Sequence, residues 1–365
     1  MTAVEVTNRI RAMIGKLISG IQQIGIGIRD LDSAFKWYRR VFGVDVQVFE
    51  DRGEAGLMLP YTGGKPRARH AVLALNLQGG SAFEIWQYTQ RQPLGPAFPL
   101  QVGDLGIFAA RIKAWDVEKA FEHFSARDIN LLGELSDCPD GARHFFMKDP
   151  YENIFQIVSG NDWFSKIRHS TGGTCGCMIG VSDIERSLSF YMKVLGYDHI
   201  LYDETGVFED LAVLPGGGEK VRRVLISHRE KPQGPFSPIW GTSQLELVQV
   251  LSREPKKIFE NRYWGDLGFI HLCFDIRGMK TLKAECAASG YPFTVDSNES
   301  FDMGEAAGHF TYTEDPDGTL IEFVEVHRVP ILKKLGWYLD LRQRNPRKAL
   351  PNWMLKALAF SRVKD

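Results

Sequence analysis

Glu322 is a carboxylate in a strongly apolar stretch of the chain. Its neighbours are Leu320, Ile321, Phe323 and Val324. The sequence Asp-Pro-Asp-Gly, from Asp315 to Gly318, precedes it and predicts a tight turn, because proline fixes φ and glycine supplies a positive φ. We therefore expect a strand over 309–313, a turn, and a second strand that carries Glu322. A carboxylate inside such a strand needs a partner or a cation, unless it lies on the wet face of a half-exposed strand.

Glutamates recur at matching positions of two other predicted strands, FEIWQ around Glu84 and LELVQ around Glu246. Upstream of them, the segments DLDSAFKWYRRVFG (30–43) and DIERSLSFYMKVLG (183–196) align without a gap over fourteen positions. Each begins with an Asp suited to cap a helix and ends with a Gly suited to terminate it. An alternating strand precedes each helix. The order β-α-β-β-β is therefore predicted twice.

Two further units fill the rest of the chain, one beginning at Leu105 and one at Leu267. Both predict a strand, a helix, and then a strand, turn and strand. In both, a site position lies seven residues after the turn Asp: Asp149 leads to Gln156, and Asp315 leads to Glu322. Four repeats of one supersecondary unit set the architecture before any single residue is considered.

This pattern, with the D-P-x-G-x-x-x-E sequence at its end, resembles the vicinal oxygen chelate superfamily, also called the glyoxalase, bleomycin-resistance and dioxygenase fold. The resemblance covers roughly residues 20 to 327. It implies an α+β protein with four βαβββ modules that form two paired eight-stranded cup-shaped sheets. In that family each cup holds one divalent metal ion. The ligands come from the start of a module's first strand and the middle of its last.

The predicted organisation has five parts. They are an N-terminal helix (1–20), a first glyoxalase-like domain with modules one and two (21–160), a linker (161–170), a second such domain with modules three and four (171–327) and a basic helical extension (328–365). The extension carries ten Lys or Arg and two Asp, a net charge of +8, whereas the whole chain has a net charge of −1. We expect it to fold back on the acidic body or to lie in a homodimer interface.

Counting from these landmarks assigns two ligand positions to each module. They are Gln23 and Glu84 in module one, Ile107 and Gln156 in module two, Gly176 and Glu246 in module three, and His271 and Glu322 in module four. If neighbouring modules pair, the sites are Gln23/Glu84/Gln156 and Glu246/His271/Glu322. If module one pairs with module four, one cup has Gln23, Glu84, His271 and Glu322. We favour the second pairing, because it concentrates four ligands in one place.

An amide oxygen, two carboxylates and an imidazole suit a divalent ion such as Zn, Mn, Fe, Ni or Co. His271 on its own would be interpreted as a core histidine, since Ile270 and Leu272 flank it. The resemblance to glyoxalase I enzymes and epimerases implies proton transfer next to a carbonyl, with Glu322 and Glu84 as the acid and base. Tyr312 and His309 are the predicted substrate contacts.

Two other functions stay open. Extradiol ring cleavage is supported by Tyr312 and the sequence that follows it, but it needs two His and one carboxylate. A protein that binds small molecules without chemistry is the second alternative, since fold does not settle function.

Composition excludes several classes of protein. Hydrophobic residues make up 44% of the chain and charged residues 24%, as in globular proteins. We find no apolar run long enough to span a membrane, no signal peptide, and no basic aromatic stripe for nucleic acid. Five cysteines without C-x-x-C spacing predict buried thiols. The sequence therefore predicts a cytoplasmic protein with a small-molecule substrate.

Overall fold

The computed structural model describes residues 15–166, 169–298, 301–302, 307–332 and 337–364. Four modules are present in them. Module one has β1 (Leu17–Gly27), α1 (Leu31–Phe42), β2 (Val46–Glu54), β3 (Ala68–Leu75) and β4 (Ala82–Tyr88). Module two has β5 (Gly106–Ala114), α2 (Val117–Ser125), β6 (Asn130–Asp137), β7 (Arg143–Lys148) and β8 (Ile154–Ser159).

The second half repeats this order with small additions. Module three has β9 (Thr171–Gly180), α3 (Ile184–Leu195), β10 (His199–Gly206), β11 (Val221–Ser227), a short helix α4 (Ser237–Trp240) and β12 (Gln244–Val250). Module four has β13 (Gly268–Arg277), α5 (Met279–Ala288), β14 (Val295–Asp296), β15 (Phe301–Asp302), β16 (Ala307–Glu314) and β17 (Leu320–Val326). The predicted α+β class and the four modules are confirmed.

The modules pair as first with last and as the two inner ones together. Sheet A, from modules one and four, has the strand order β14-β16-β17-β13-β1-β4-β3-β2, with the extra strand β15 on β16. Sheet B, from modules two and three, has the order β10-β11-β12-β9-β5-β8-β7-β6. The first strands of paired modules run antiparallel, β1 beside β13 and β5 beside β9. This is the pairing that we favoured from the sequence.

The two aligned helices begin and end where their sequences predict. Asp30 and Asp183 accept hydrogen bonds from the backbone N–H groups of Ser33 and Arg186, and so cap α1 and α3. Gly43 and Gly196 close the same helices with φ of 63° and 74°, a conformation that glycine adopts without a Cβ penalty.

The turn aspartates tie neighbouring modules together. Tyr38 on α1 donates a 2.6 Å hydrogen bond to Asp149 in the module-two turn. Tyr191 on α3 donates a 2.9 Å hydrogen bond to Asp315 in the module-four turn. Asp315 also accepts from the backbone N–H groups of its own turn. Each half of the chain is thus held together by one buried phenol and one buried carboxylate.

The helices and the faces of both sheets that they cover share one apolar core. Phe83 and Ile85 enter this core, while Glu84 between them points to the opposite, concave face of sheet A. The five cysteines are buried free thiols, as predicted. No helix within the described ranges is long and apolar enough to cross a membrane.

Three predictions about the ends and the domains need correction. Residues 17–20 of the predicted N-terminal helix belong to β1, and 1–14 lie outside the described residues. The extension is only partly helical: it has β18 (Arg328–Leu332), β19 (Trp337–Asp340), two 3₁₀ turns and α6 (Asn352–Lys356). The aromatic, β-favouring run at 337–339 explains the strand. Neither sheet comes from one predicted domain, since 21–160 and 171–327 each give one module to each sheet.

Candidate metal centre

Four adjacent strands in the middle of sheet A bring the predicted ligands together. Gln23 lies on β1, Glu84 on β4, His271 on β13 and Glu322 on β17, and the strand order is β17-β13-β1-β4. In the register, Gly25 is paired with both His271 and Glu84. Gln23 is paired with Cys273, which is paired in turn with Glu322. We call Gln23, Glu84, His271 and Glu322 the tetrad.

The polar atoms of the tetrad converge on one point. The Nε2 atom of His271 lies 3.2 Å from Glu84 Oε2 and 3.0 Å from Glu322 Oε2. The Nε2 atom of Gln23 donates to the same two oxygens, at 3.4 and 3.3 Å. A divalent ion with bonds near 2.1 Å places adjacent ligand atoms about 3.0 to 3.4 Å apart. The spacing in the tetrad is therefore that of a coordination shell.

Buried polar atoms without partners also fit a cation. Gln23 Oε1 and both ring nitrogens of His271 make no well-aligned hydrogen bond with any described residue, although His271 is fully buried. The oxygen and nitrogen of a glutamine amide exchange places when the amide turns by half a rotation. Rotating the Gln23 amide by half a turn would aim its oxygen at the two carboxylates. The tetrad then offers three oxygen ligands and one nitrogen ligand, a set that a divalent metal accepts.

The electrostatics of the tetrad favour positive charge. Burial lowers the pKa of His271, but the carboxylates of Glu322 and Glu84 outweigh burial and raise that pKa to about 9. Two carboxylates facing one buried point stabilise either an imidazolium or a metal ion there.

The surroundings of His271 hold its ring in place. Gly25 faces the ring so closely that a Cβ atom on Gly25 would lie 2.5 Å from His271 Nδ1. On another side, Trp264 stacks on the imidazole with ring centroids 6.2 Å apart. Tyr88 donates a hydrogen bond to the backbone carbonyl of Trp264 and so fixes that segment. The ring has little freedom to leave the tetrad.

The two predicted substrate contacts have different fates. Tyr312 is paired with Glu322 across β16 and β17 and packs edge-on against His271 at 5.5 Å. Its pKa is raised well above the usual value by burial and by the two carboxylates, so the phenol keeps its proton. The prediction that His309 contacts the substrate on the same face as Tyr312 was wrong. The two are three residues apart on a regular strand, so His309 points to the other face, where its Nε2 lies 2.6 Å from Asp296.

Sheet B places guanidinium groups where sheet A has its tetrad. Glu246, the alternative ligand, accepts hydrogen bonds from Arg223 at 2.7 Å and Arg111 at 3.0 Å, and from Tyr202 at 2.7 Å. Burial raises the pKa of Glu246, but the two arginines outweigh burial and hold it below its usual range. Glu246 lies in sheet B whereas His271 and Glu322 lie in sheet A, so the alternative site with these three residues is not formed.

The register also corrects one assumed ligand position. In modules one, three and four, the last-strand ligand position is paired with a residue of the module's first strand. The first-strand ligand position lies two residues before that residue, which gives Gln23, Gly176 and His271. In module two, Arg111 is paired with Gln156, so the equivalent position is Ala109 rather than Ile107. The count along the chain agrees, because Ala109 lies seven residues before the helix-capping Asp116, as Gln23 does before Asp30 and Gly176 before Asp183. Neither residue offers a side-chain ligand, so this correction leaves the tetrad unchanged.

A second group in sheet B has metal-ligating residue types but a poor environment for an ion. Cys138, His144 and Asp210 each offer one ligand atom within 4.8 Å of the others. Asp210 is already engaged by Arg223, at 2.8 and 2.9 Å. Burial raises the pKa of the Cys138 thiol to about 12, so it stays protonated. The carboxylate of this group is thus already neutralised by a guanidinium, and its thiol keeps its proton.

Sequence reasoning missed three residues that matter here. Arg111 and Arg223 neutralise Glu246, and Gly25 leaves room for the His271 ring. For each arginine, the only available signal was a charged residue inside an apolar strand. For Gly25, the signal was a glycine inside a strand, which indicates that another group approaches the backbone closely.

Comparisons with known proteins place the chain in a family. The family model described as Glyoxalase/Bleomycin resistance protein/Dioxygenase superfamily matches residues 20–157 and 175–323. A lactoylglutathione lyase of Schizosaccharomyces pombe is 23% identical over 318 residues, which are 82% of this chain and 94% of that protein. One from Arabidopsis thaliana is 26% identical over 171 residues, 46% of this chain and 52% of that protein.

Among solved structures, the crystal structure of glyoxalase I from Zea mays superposes with a TM-score of 0.53 at 16% identity. The superposition covers 86% of this chain and 94% of the maize chain, and it shows a shared fold. The chain belongs to the glyoxalase, bleomycin resistance protein and dioxygenase superfamily.

Proposed function

We propose that this protein is a divalent-metal-dependent enzyme of the glyoxalase type that moves a proton next to a carbonyl group. Its substrate is a small molecule with two neighbouring oxygens. The observation that carries the proposal is the convergence of Gln23, Glu84, His271 and Glu322 on one buried point. The relatives named lactoylglutathione lyase support the same class of reaction.

Gln23, Glu84, His271 and Glu322 would hold the ion. When bound, it would polarise the substrate oxygens and so lower the pKa of the C–H group next to the carbonyl. The two carboxylates belong to different modules, and their Oε2 atoms lie 3.2 and 3.0 Å from the same imidazole nitrogen. One of them accepts the proton from carbon and returns it to the neighbouring carbon, while the other carries the hydroxyl proton from one substrate oxygen to the other, so that the isomerisation balances.

Other residues of the site prepare this step. Trp264 and Tyr312 cover His271 and keep water from that side of the tetrad. Side chains of Glu84 and Glu322 keep 13% and 9% of their surface exposed, whereas His271 has none. The carboxylates are therefore the members of the tetrad that a substrate can reach.

The competing functions have less support. Extradiol cleavage uses two His and one carboxylate, and the tetrad has one imidazole. Tyr312, the residue that favoured ring cleavage, is 2% exposed and packs on His271. A protein that only binds ligands has no need to set two carboxylates around one buried point, at the cost of desolvating both.

Metal content tests the site. Protein purified without chelators is analysed for metal beside His271→Ala and His144→Ala, the latter being the equally buried histidine of sheet B. We expect about one ion per chain in the unchanged protein and in His144→Ala, and less than a tenth of that in His271→Ala. Equal metal in both variants would refute the site.

Proton transfer is tested without oxygen in D₂O. An α-hydroxyketone or a hemithioacetal should acquire deuterium at the carbon next to its carbonyl when the loaded protein is added. Glu322→Gln should slow this exchange about 10²- to 10⁴-fold. Oxygen uptake with a catechol and no deuterium exchange would favour ring cleavage instead.

A further inference from the structure

An apolar cavity of about 480 Å³ lies between the concave face of sheet A and the C-terminal arm, which we define as residues 350–363. Its floor includes Leu73, Leu75 and Ala82, and its roof includes Leu355 and Leu358 of the arm. This volume is in the range of cavities that hold drug-sized ligands.

The cavity begins beside the tetrad. Leu73 is paired with Glu84 across β3 and β4, so both side chains leave the same face of the sheet. Ala82 lies two residues before Glu84 on β4 and shares that face. Gln22 also lines the cavity, and a β-bulge between Ile21 and Gln23 turns it to the same face, where Cys273 contacts it. A molecule held by its oxygens at the tetrad would therefore extend its remaining atoms along this floor.

The lining is almost entirely apolar. Its polar members are Gln22, Ser361 and Arg328, and Arg328 lies at the exposed rim. Burying a charged group among such side chains is costly, whereas burying hydrocarbon is favourable. The lining therefore selects against the ionised groups of a peptide and for an alkyl or aryl group.

The arm that forms the roof is fixed to the body at both ends. The backbone N–H of Leu350 donates to Pro235 O, and that of Val363 donates to Asp45 O, both at 2.9 Å. Arg362 also pairs with the Asp45 carboxylate. The family match ends at residue 323, so the roof is built from sequence beyond it.

The mouth of the cavity is apolar as well. Trp353 and Phe360 line it and keep 65% and 93% of their surface exposed. Large exposed apolar side chains beside a cavity are typical of ligand-binding grooves.

We propose that the cavity takes an extended alkyl or aryl group of the substrate, whose two adjacent oxygens lie at the tetrad. This inference rests on the proposed function for the oxygens and on the cavity alone for the apolar group. The substrate class is an apolar carbonyl compound, in contrast to the lactoylglutathione in the name of the two relatives.

Alkyl hydroxamic acids are suitable probes, because they present two adjacent oxygens on a chain of any length. Binding of acetohydroxamic to decanohydroxamic acid to the zinc-loaded protein is measured by titration calorimetry. Affinity should rise about fourfold per added methylene until the chain fills the cavity, and then level off. A series of n-alcohols that displaces anilinonaphthalene sulfonate from the metal-free protein should show the same dependence on chain length.

Two variants place the effect in the cavity. Leu358→Lys puts a charge into the roof and should weaken decanohydroxamic acid more than about tenfold, while acetohydroxamic acid changes less than about twofold. Leu358→Trp fills part of the space, so affinity should level off at shorter chains. Val207→Lys changes a residue that is 64% exposed on another surface and should alter neither series.

The outcomes separate the two ideas. Affinities that do not depend on chain length, or a dependence that both Leu358 variants leave intact, would overturn the apolar-group inference even if acetohydroxamic acid binds. Chain-length dependence in the alcohol series without any binding of hydroxamic acids would support the cavity and refute the metal-centred function instead.

Discussion

Gly25→Ala tests the role of His271 without changing any member of the tetrad. Gly25 does not adopt a positive φ, so alanine brings no backbone strain. Its Cβ would, however, lie 2.5 Å from His271 Nδ1 and 3.0 Å from Nε2. Ordinary contacts between such atoms need about 3.5 Å. The imidazole must therefore retreat by about 1 Å.

A shift of that size is large for a metal ligand, since bond lengths at metal sites hold to about ±0.2 Å. We expect zinc affinity to fall at least 10- to 100-fold, which is about 1.4 to 2.8 kcal/mol. Competition against a chelator of known affinity measures the change. Overpacking also costs about 1 to 3 kcal/mol of stability, so urea unfolding of each protein is recorded alongside.

Gly53→Ala is the matched control. Gly53 lies on β2 of the same sheet, and the nearest atoms to its added Cβ are 3.9 Å away. It should bind zinc as the unchanged protein does. If folded Gly25→Ala also keeps full zinc affinity, then the imidazole is not a ligand, and the reasoning from the tetrad fails.

Three further predictions concern sheet B, the buried acid of sheet A and catalysis. Arg223→Met leaves Glu246 buried with one cation fewer and should lower the free energy of unfolding, measured in urea, by about 3 to 5 kcal/mol. Arg229→Met removes one side of an exposed ion pair and should lower it by less than about 1 kcal/mol. Burial raises the pKa of Asp275 from 3.8 to about 6, so the folded protein binds more protons than the unfolded chain between those values. Its stability should therefore fall by about 3 kcal/mol as pH rises through that window. Asp275→Asn should lack this share of the loss, and a pH dependence of unfolding identical to that of the unchanged protein would contradict the assignment. At zinc concentrations that saturate the site, Glu322→Gln should lose deuterium exchange, and full exchange activity would exclude this carboxylate as the proton carrier.

The sequence predicted the modules because local signals coincide with the fold. Asp30 and Asp183 cap helices, Gly43 and Gly196 end them, and alternating apolar residues set the strands. These features act within a few residues of chain. They therefore survive in a single sequence without any information on distant contacts.

Pairing of the modules could not be deduced from such signals. Both arrangements satisfied the ligand positions, and only the register of β1 beside β13 distinguishes them. The error at His309 has a different, local cause. Its distance from Tyr312 is odd, and strand alternation alone was sufficient to place it on the other face.

Long-range charge pairing was also beyond the sequence. Arg223 and Asp210 are thirteen residues apart, and Arg111 and Glu246 are 135 apart. An arginine in an apolar strand indicates that a partner exists but not which one. The C-terminal strands β18 and β19 were missed because a basic, leucine-rich segment with three prolines resembles broken helices.

The pairing of first and last modules has a consequence for biosynthesis. Residues 106–250 are contiguous and contain all the strands of sheet B, so a ribosome-bound chain can complete that sheet early. The contact between Gln23 and Glu322 joins residues 299 positions apart, and β1 waits for the final quarter of the chain before it gains its neighbour β13. A bound metal ion would then stabilise the completed fold. It would add about 2.7 kcal/mol to the free energy of unfolding when the free metal concentration is a hundred times its dissociation constant. A chain truncated before residue 322 would lack the fourth ligand and gain less of this stabilisation.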